Sequence, residues 1–376
     1  MKIDYGKEIK RIVVKVGTST LTHVDGQINL QQMEEIVKDI AELYTKGHEV
    51  VLVSSGAVGA GSGRINKKTK PKTLPEKQAI AAIGQVALMH RYEQLFRTYG
   101  IVVGQVLLTK DDLTNRKRNL NAKNTLGTLL SMGAIPIINE NDTVAVDEIK
   151  LGDNDRLAAY VAALIDADIL MILTDIDGLY TSNPSKGNGG VLVEKVEKIT
   201  PEIEAYAGGE GTLFGTGGMA TKIMAAKIGT SAGVYVLIGN SHNHSFMVDA
   251  LRGDVAGTVF IPHNRKIQTK KKWLLISSKA KGKVFVDDGA KEALMNEGKS
   301  LLPIGITGTE GSFAKGDVVS VRDAKGFEIG RGITYYGSKE IDKIQGRKTK
   351  EIEGILGEDY EYDTVIHRDN LSVNPA

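Results

Sequence analysis

Cysteine is absent from this 376-residue chain, and that absence excludes disulfide cross-links, a thiolate nucleophile and cysteine-ligated zinc together. An excess of charge of one sign is missing too. The chain carries 48 Lys and Arg against 46 Asp and Glu, so no general field exists to hold a polyanion. No apolar run is long enough to span a membrane, and residues 1–9, MKIDYGKEI, lack the apolar core of a secretory signal. A cytoplasmic location is expected, with no membrane partner. Two phosphate-binding fingerprints also fail. Around Gly59 and Gly61 the third glycine of a dinucleotide motif is replaced by Arg64. Gly215, Gly217 and Ala220 meet its looser form, but no strand reads before them and no acidic residue follows at the distance the motif needs. At Gly298-Lys299-Ser300, Ala293 stands where a P-loop requires its first glycine.

What the chain does contain is concentrated in residues 137–157, IINENDTVAVDEIKLGDNDRL. An apolar strand end gives way to Asn139, Glu140, Asn141, Asp142, Asp147, Glu148, Asp153, Asn154 and Asp155, and GDND at 152–155 opens onto the helical pattern Leu157, Val161, Leu164, Ile165. Acidic and carboxamide side chains are favourable at a helix N-terminus, so one reading is an N-cap cluster. The other is a site that grips a cation, such as an ammonium group or a metal on a phosphate.

The length suggests two or three domains, and 41% hydrophobic with 25% charged residues is the mix of a soluble globular protein. Residues 12–16, IVVKV, read as a buried parallel strand interrupted by Lys15. A lysine is rarely buried without a partner, so Lys15 is expected at the strand end facing a ligand or a carboxylate. Gly17, Thr18 and Ser19 after it leave backbone N–H groups open to an anion. Apolar residues at helical spacing over 30–44 predict a helix closed by Gly47. Residues 50–63, VVLVSSGAVGAGSG, read as a strand running into a Gly/Ser loop. Helices over 76–99 and 116–132, strands at 101–108 and 134–139, and a strand over 168–180 bearing Thr174 and Asp175 follow. Alternation of this kind predicts an α/β domain with a mostly parallel sheet sandwiched by helices.

Thr216–Lys222, TGGMATK, runs into an amphipathic helix, which places Lys222 near a glycine-rich helix start suited to phosphate. Gly233–Ile238 is the last strand expected of this domain. His242-Asn243-His244 lacks a third metal ligand nearby. The expected boundaries are a first domain at 1–262, a basic linker at 263–272 and a second domain at 273–376 of short, glycine-punctuated alternating runs, a small all-β barrel. That tail has 11 Lys and 4 Arg against 17 acidic residues, about −2 overall.

The first domain thus offers two lysines in phosphate-cradling contexts, amide-rich loops at Ser55-Gly56-Ala57 and Gly217-Gly218, and an acidic cluster at 140–155. It offers no obvious nucleophile and no convincing His base. If the acceptor of a phosphoryl group is a carboxylate, it is already deprotonated at pH 7 and needs no general base. The obstacle is then repulsion from the triphosphate, which two lysines and Mg²⁺ would screen.

The run of VVKVGTS at 13–19, VSSGAVGAG at 53–61, INEND at 138–142, GDND at 152–155, LTDIDGLY at 173–180 and GTGGMATK at 215–222 resembles the glutamate 5-kinases of the amino acid kinase family. The tail, SLLPIGITGTEGSF followed by GD and IGRG, resembles the PUA domain many of them carry. Ser54, where threonine is common in that family, is the visible departure. The resemblance implies the amino acid kinase fold and ATP-dependent phosphorylation of the glutamate side-chain carboxylate, the first step of proline synthesis. It implies that Lys15 and Lys222 contact the ATP phosphates and that Asp155 holds those lysines. Ser55 would help bind glutamate, and Asp142 and Asn154 would receive its α-ammonium, with Asp153 a further candidate. Thr174 and Asp175 would border the nucleotide, over which Thr216, Gly217, Gly218, Met219, Ala220, Thr221 and Lys222 close. ATP and Mg²⁺ are implied, with no protein side chain assigned to the metal. Proline as feedback inhibitor, a homodimer or homotetramer, and a glutamyl phosphate reductase as partner complete the picture. Two alternatives stay open: another kinase of the family, acting on acetylglutamate, aspartate, carbamate or a nucleoside monophosphate, and an RNA-binding protein acting through the tail. Phosphate contacts dominate RNA affinity, so the acidic tail argues against nucleic acid as a partner.

Overall fold

Valine and isoleucine fill β1 (Arg11–Val16), and β1 and β2 (Glu49–Val53) are buried over nearly their whole length, as strands covered on both faces are. The computed structural model describes residues 1–23, 25–67, 69, 71–145, 154–182, 190–207, 218–262, 280–357 and 362–373. Chain contacts cluster into two units, Met1–Arg265 and Lys266–Ala376. The expected linker at 263–272 lies outside the described residues.

Between β1 and β2 run α1 (Thr18–Leu21) and α2 (Leu30–Thr45). The latter buries Met33, Ile36, Val37, Ile40 and Leu43 along one stripe, and the Asn29 side chain accepts the Gln32 N–H at its start. After β2 come α3 (Ala57–Arg64), α4 (Leu74–Arg97), β3 (Val103–Leu108), α5 (Lys110–Thr114), α6 (Arg116–Ser131) and β4 (Ile135–Glu140). The remainder of the unit is α7 (Asn154–Leu164), β5 (Ile169–Thr174), β6 (Lys195–Val196), α8 (Pro201–Ala205), α9 (Met219–Ser231), β7 (Tyr235–Asn240), α10 (Phe246–Leu251) and β8 (Gly257–Phe260). The strand order is β3-β4-β2-β1-β5-β7-β8-β6. Neighbours from β3 through β7 are parallel, β8 runs antiparallel to β7, and β6 pairs parallel with β8. The core joins Ile12, Val14, Leu52, Ile137, Met171 and Leu237 from the strands to Ile36, Ile40, Leu88 and Phe96 from the helices.

Two local expectations change. The glycine-rich segment after β2 is helical from Ala57, not a loop. Its glycines are needed for contact: a Cβ on Gly61 would lie 1.9 Å from Ile80 O, and one on Gly84 would lie 1.8 Å from Ala57 O. Helices α3 and α4 therefore meet backbone to backbone, which offsets the low helix propensity of glycine. The strand at Tyr235–Asn240 is not the unit's last, because β8 follows; at four residues, it gives little pattern to read.

In the second unit, β9 (Gly282–Val286), β10 (Ile306–Glu310), β11 (Val318–Arg322), β12 (Glu328–Ile333) and β13 (Leu371–Val373) form a sheet ordered β10-β9-β11-β12-β13. Its pairs are antiparallel except β9 with β11. Among the described residues three α-helices, which the alternating pattern does not predict, accompany it: α11 (Asp288–Met295), α12 (Ser338–Ile344) and α13 (Thr349–Leu356). Leu294, Ile341 and Ile352 from these helices pack with Val284, Val319 and Val321 into a separate core. No helix among the described residues is long and apolar enough to cross a membrane.

One feature of α2 has a measurable consequence. Asp39 is buried, and burial together with Glu35 and Glu42 on the same helix outweighs Lys38 and pushes its pKa up to about 7. The folded state therefore holds a proton that the unfolded chain releases above the ordinary value of 3.8, and stability falls as pH rises between 3.8 and about 7. Asp39→Asn is expected to flatten that slope and to raise the thermal midpoint at pH 8 by roughly 2–4 °C while leaving it unchanged at pH 4. Thermal melts of both proteins across that range check it.

Candidate active site

The chain leaves β1 toward β2, β4 and β3 on one side of the sheet, then crosses to β5 and β7 on the other. In open α/β sheets the crevice beyond the carboxyl ends of the strands at such a reversal is where ligands bind. The polar residues singled out in the sequence converge on that edge. Lys15 is the penultimate residue of β1 and pairs in register with Val53 of β2 and Ile172 of β5. Ser54, Ser55 and Gly56 follow β2, Asn139 and Glu140 end β4, Thr174 ends β5, and Asn154 and Asp155 begin α7.

At the centre one carboxylate serves two ammonium groups. Lys15 Nζ lies 2.5 Å from Asp155 Oδ1, and Lys222 Nζ, in the first turn of α9, lies 3.2 Å from Oδ2. The Thr221 hydroxyl donates to the same Oδ2 at 2.8 Å. Asp155 is 0% exposed, and Lys15 and Lys222 are each 5% exposed. Burial alone would raise the Asp155 pKa, but the two lysines and the Thr221 hydroxyl more than offset it and hold the carboxyl below its ordinary value. The three side chains carry a formal charge of +1 away from water, a setting that favours an incoming anion.

Beside this cluster runs a chain of carboxamides. Asn154 Nδ2 donates to Ser54 O, Ser55 Oγ and Asn139 Oδ1, each at 2.9 Å. The Glu140 N–H donates to Asn139 Oδ1 at 2.9 Å. Behind it, Ser54 Oγ shares a hydrogen bond of 3.0 Å with Tyr92 OH. Gly56 caps α3 with φ +93°, a conformation open to glycine, and so turns the chain from Ser55 into the helix. Asn154 and Asp155 thus turn toward the other strand ends, and the N-cap alternative does not describe these two side chains. Asp153 lies outside the described residues.

Asp142 sits in the turn after β4, where the Val144 and Ala145 N–H groups return to Asn141 O. Thr174 is buried and donates to Asp175 Oδ1 at 3.0 Å, while Asp175 itself is exposed. Gly218 caps α9 in extended conformation, and Met219, Ala220 and Thr221 form the helix start before Lys222. Thr216, Gly217, Asp147 and Glu148 lie outside the described residues. Asn139, only 2% exposed, carries no assigned role in the sequence reading. The signal for it was the polar pair Asn139 and Glu140 closing a strand whose first four residues are apolar.

Compared with known proteins, residues 10–240 match the family model described as the amino acid kinase family, and residues 282–356 match that of the PUA domain. A curated glutamate 5-kinase of Moorella thermoacetica is 51% identical over 97% of this chain and 97% of its own length. One of Caldanaerobacter subterraneus subsp. tengcongensis is 53% identical over 96% of this chain and 97% of its own length. Among solved structures, UMP kinase from Ureaplasma parvum aligns with a TM-score of 0.50 at 16% identity, covering 68% of this chain and 100% of that one. That likeness speaks to the fold alone.

Proposed function

The chain belongs to the amino acid kinase family, and on that premise we propose that it transfers the γ-phosphoryl group of ATP to the side-chain carboxylate of L-glutamate. The product is L-glutamyl 5-phosphate, and the step opens proline synthesis. The observation that carries the reading is the pair of buried lysines on Asp155 beside the Ser55–Asn154–Asn139 relay, in a chain about half identical to glutamate 5-kinases over nearly its full length.

Lys15 and Lys222 meet the transferring phosphoryl oxygens and stabilise the charge that develops on them. Asp155 keeps the two ammonium groups at one spacing. A carboxylate oxygen of glutamate attacks the γ-phosphorus, that O–P bond forms, the bond to the β–γ bridging oxygen breaks, and ADP leaves with the electron pair. No proton moves to or from the acceptor, so no general base is required. Ser55, Asp142 and Asn154 hold the acceptor, with Asp142 and Asn154 on its ammonium group and Asp153 nearby. Thr174, Asp175 and residues 216–222 enclose the nucleotide. Mg²⁺ belongs on the ATP phosphates and would neutralise part of their charge.

The same reading places the chain in the cytoplasm as a homodimer or homotetramer, inhibited by proline and handing its labile product to a reductase. Its parts are a catalytic domain over 1–262, a linker at 263–272 and the PUA domain over 273–376.

Asp142→Ala is expected to raise KM for glutamate at least about tenfold, the loss of one charge-assisted contact, with a much smaller change in kcat. Initial rates against glutamate concentration check it. The reading as a whole is tested by ADP release from MgATP with glutamate, aspartate, acetylglutamate, carbamate and UMP offered separately. Turnover with glutamate alone is the expected result. Turnover with another acceptor would move the substrate assignment, and silence with all five would bring RNA binding by residues 273–376 to the front.

A further inference from the structure

Gln85 lies on α4, outside every motif read in the sequence, yet it ends the carboxamide chain. Asn139 Nδ2 donates to Gln85 Oε1 at 2.8 Å. The backbone settles which way each amide faces. Ser54 O can only accept, so Asn154 presents Nδ2 to it and to its neighbours. The Glu140 N–H can only donate, so Asn139 turns Oδ1 toward it and toward Asn154. Asn139 must then face Gln85 with its NH₂, and Gln85 must answer with oxygen. That leaves Gln85 Nε2 as a donor, and this atom is buried with no acceptor among the described residues. Buried amide donors are nearly always satisfied, so an acceptor is due at this position.

The surroundings indicate which acceptor. Two turns earlier on the same face of α4, Gln78 Nε2 donates to Ala145 O at 3.2 Å and so ties α4 to the turn that carries Asp142. The neighbouring Gly84 packs against Ala57, in the first turn of α3 beyond Ser55 and Gly56. Gln85 therefore stands where α4 meets both the Ser55 loop and the end of β4. Lys15 is on β1, with β2 between it and β4. This is the end of the site remote from the phosphate-binding lysines, where the ammonium end of the acceptor belongs. The group of glutamate that remains there is its α-carboxylate.

We infer that Gln85 is a positioning and specificity residue. It holds the Asn139 NH₂ through Oε1, and its Nε2 receives the α-carboxylate of the acceptor. This rests on the reading of glutamate as substrate given above.

The test compares full-length wild type, Gln85→Glu and Gln85→Met for kcat, for KM of glutamate and of ATP, and for thermal midpoint. Glutamate at this position keeps an oxygen for Asn139 Nδ2 but replaces the donor with negative charge, whereas methionine removes both at similar size. The expected result is a rise in KM for glutamate of about tenfold in Gln85→Met, and more in Gln85→Glu, with KM for ATP and kcat within about threefold of wild type. The thermal midpoint of Gln85→Glu should stay near that of wild type. An unchanged KM for glutamate in Gln85→Glu, or a loss confined to kcat or to the midpoint, would overturn the assignment while wild-type turnover of glutamate left the acceptor reading standing. Absence of that turnover in wild type would overturn both.

Discussion

Lys222→Ala and Lys15→Ala are each expected to lower kcat roughly 10²–10³-fold, the size found for removing one preorganised donor from a transition-state anion, while KM for glutamate changes by less than about threefold. The reason is where charge changes during the reaction. Glutamate reaches the site as an anion and remains negatively charged until its oxygen bonds to phosphorus, whereas the transferring phosphoryl group redistributes its charge only in the transition state. Lys15 and Lys222 are 5% exposed, so their ammonium groups act in a medium that screens them weakly. Ser55 and Asn154, which we propose hold the acceptor, belong to the neighbouring hydrogen-bonded relay. Steady-state kinetics against both substrates check the split. If KM for glutamate rose as much as kcat fell, the lysines would be acceptor ligands and the phosphate assignment would be wrong.

Asp155→Ala is the substitution with the largest expected effect on the fold. Removing one partner of a buried ion pair leaves the remaining charge uncompensated, which costs about 3–5 kcal/mol. Here the remaining charges are two, Lys15 and Lys222, with the Thr221 hydroxyl also losing its acceptor. Activity should fall at least as far as in either lysine variant, because both ammonium groups lose the group that spaces them. Denaturant unfolding of Asp155→Ala beside Lys15→Ala separates the effects: the lysine variant keeps Lys222 on the carboxylate and should lose less stability. The pH dependence has a definite sign. The Asp155 pKa lies below its ordinary 3.8 in the folded state, so its contribution is fully present above that value and is lost only as pH falls below it. Asp155→Asn should accordingly remove part of the acid limb of the stability curve.

How much of this was readable beforehand depended on whether the cause was local. β1 and β5 are apolar runs, and Lys15 announced itself by interrupting one of them. Lys222 announced itself by its glycine-rich approach to a helix. That both reach Asp155 is written nowhere locally, since the three residues come from β1, α7 and α9 and meet only when the sheet reverses. Family likeness, not spacing, suggested it. The helix α3 was hidden for a related reason. Its glycines read as a loop until α4 brings Gly84 against Ala57 and makes glycine the residue that fits. Gln85 gave no signal, because a glutamine on a long helix reads as an ordinary surface residue and its partner Asn139 arrives from a different βα unit. In the tail, short strands and glycines were legible, but the helices between them were too short for their period to stand out.

The measurement that bears most directly on the central claim is the fate of the acceptor oxygen. Glutamate labelled with heavy oxygen in its side-chain carboxylate is incubated with MgATP and the protein. The acyl phosphate is left to break down as its α-amine closes on the acyl carbon and expels phosphate, and that phosphate is analysed by mass. The account predicts one heavy oxygen in each phosphate released, matched to the ADP formed, because the carboxylate oxygen itself attacked phosphorus. Unlabelled phosphate in the same amount as ADP would mean that water was the acceptor and would contradict it.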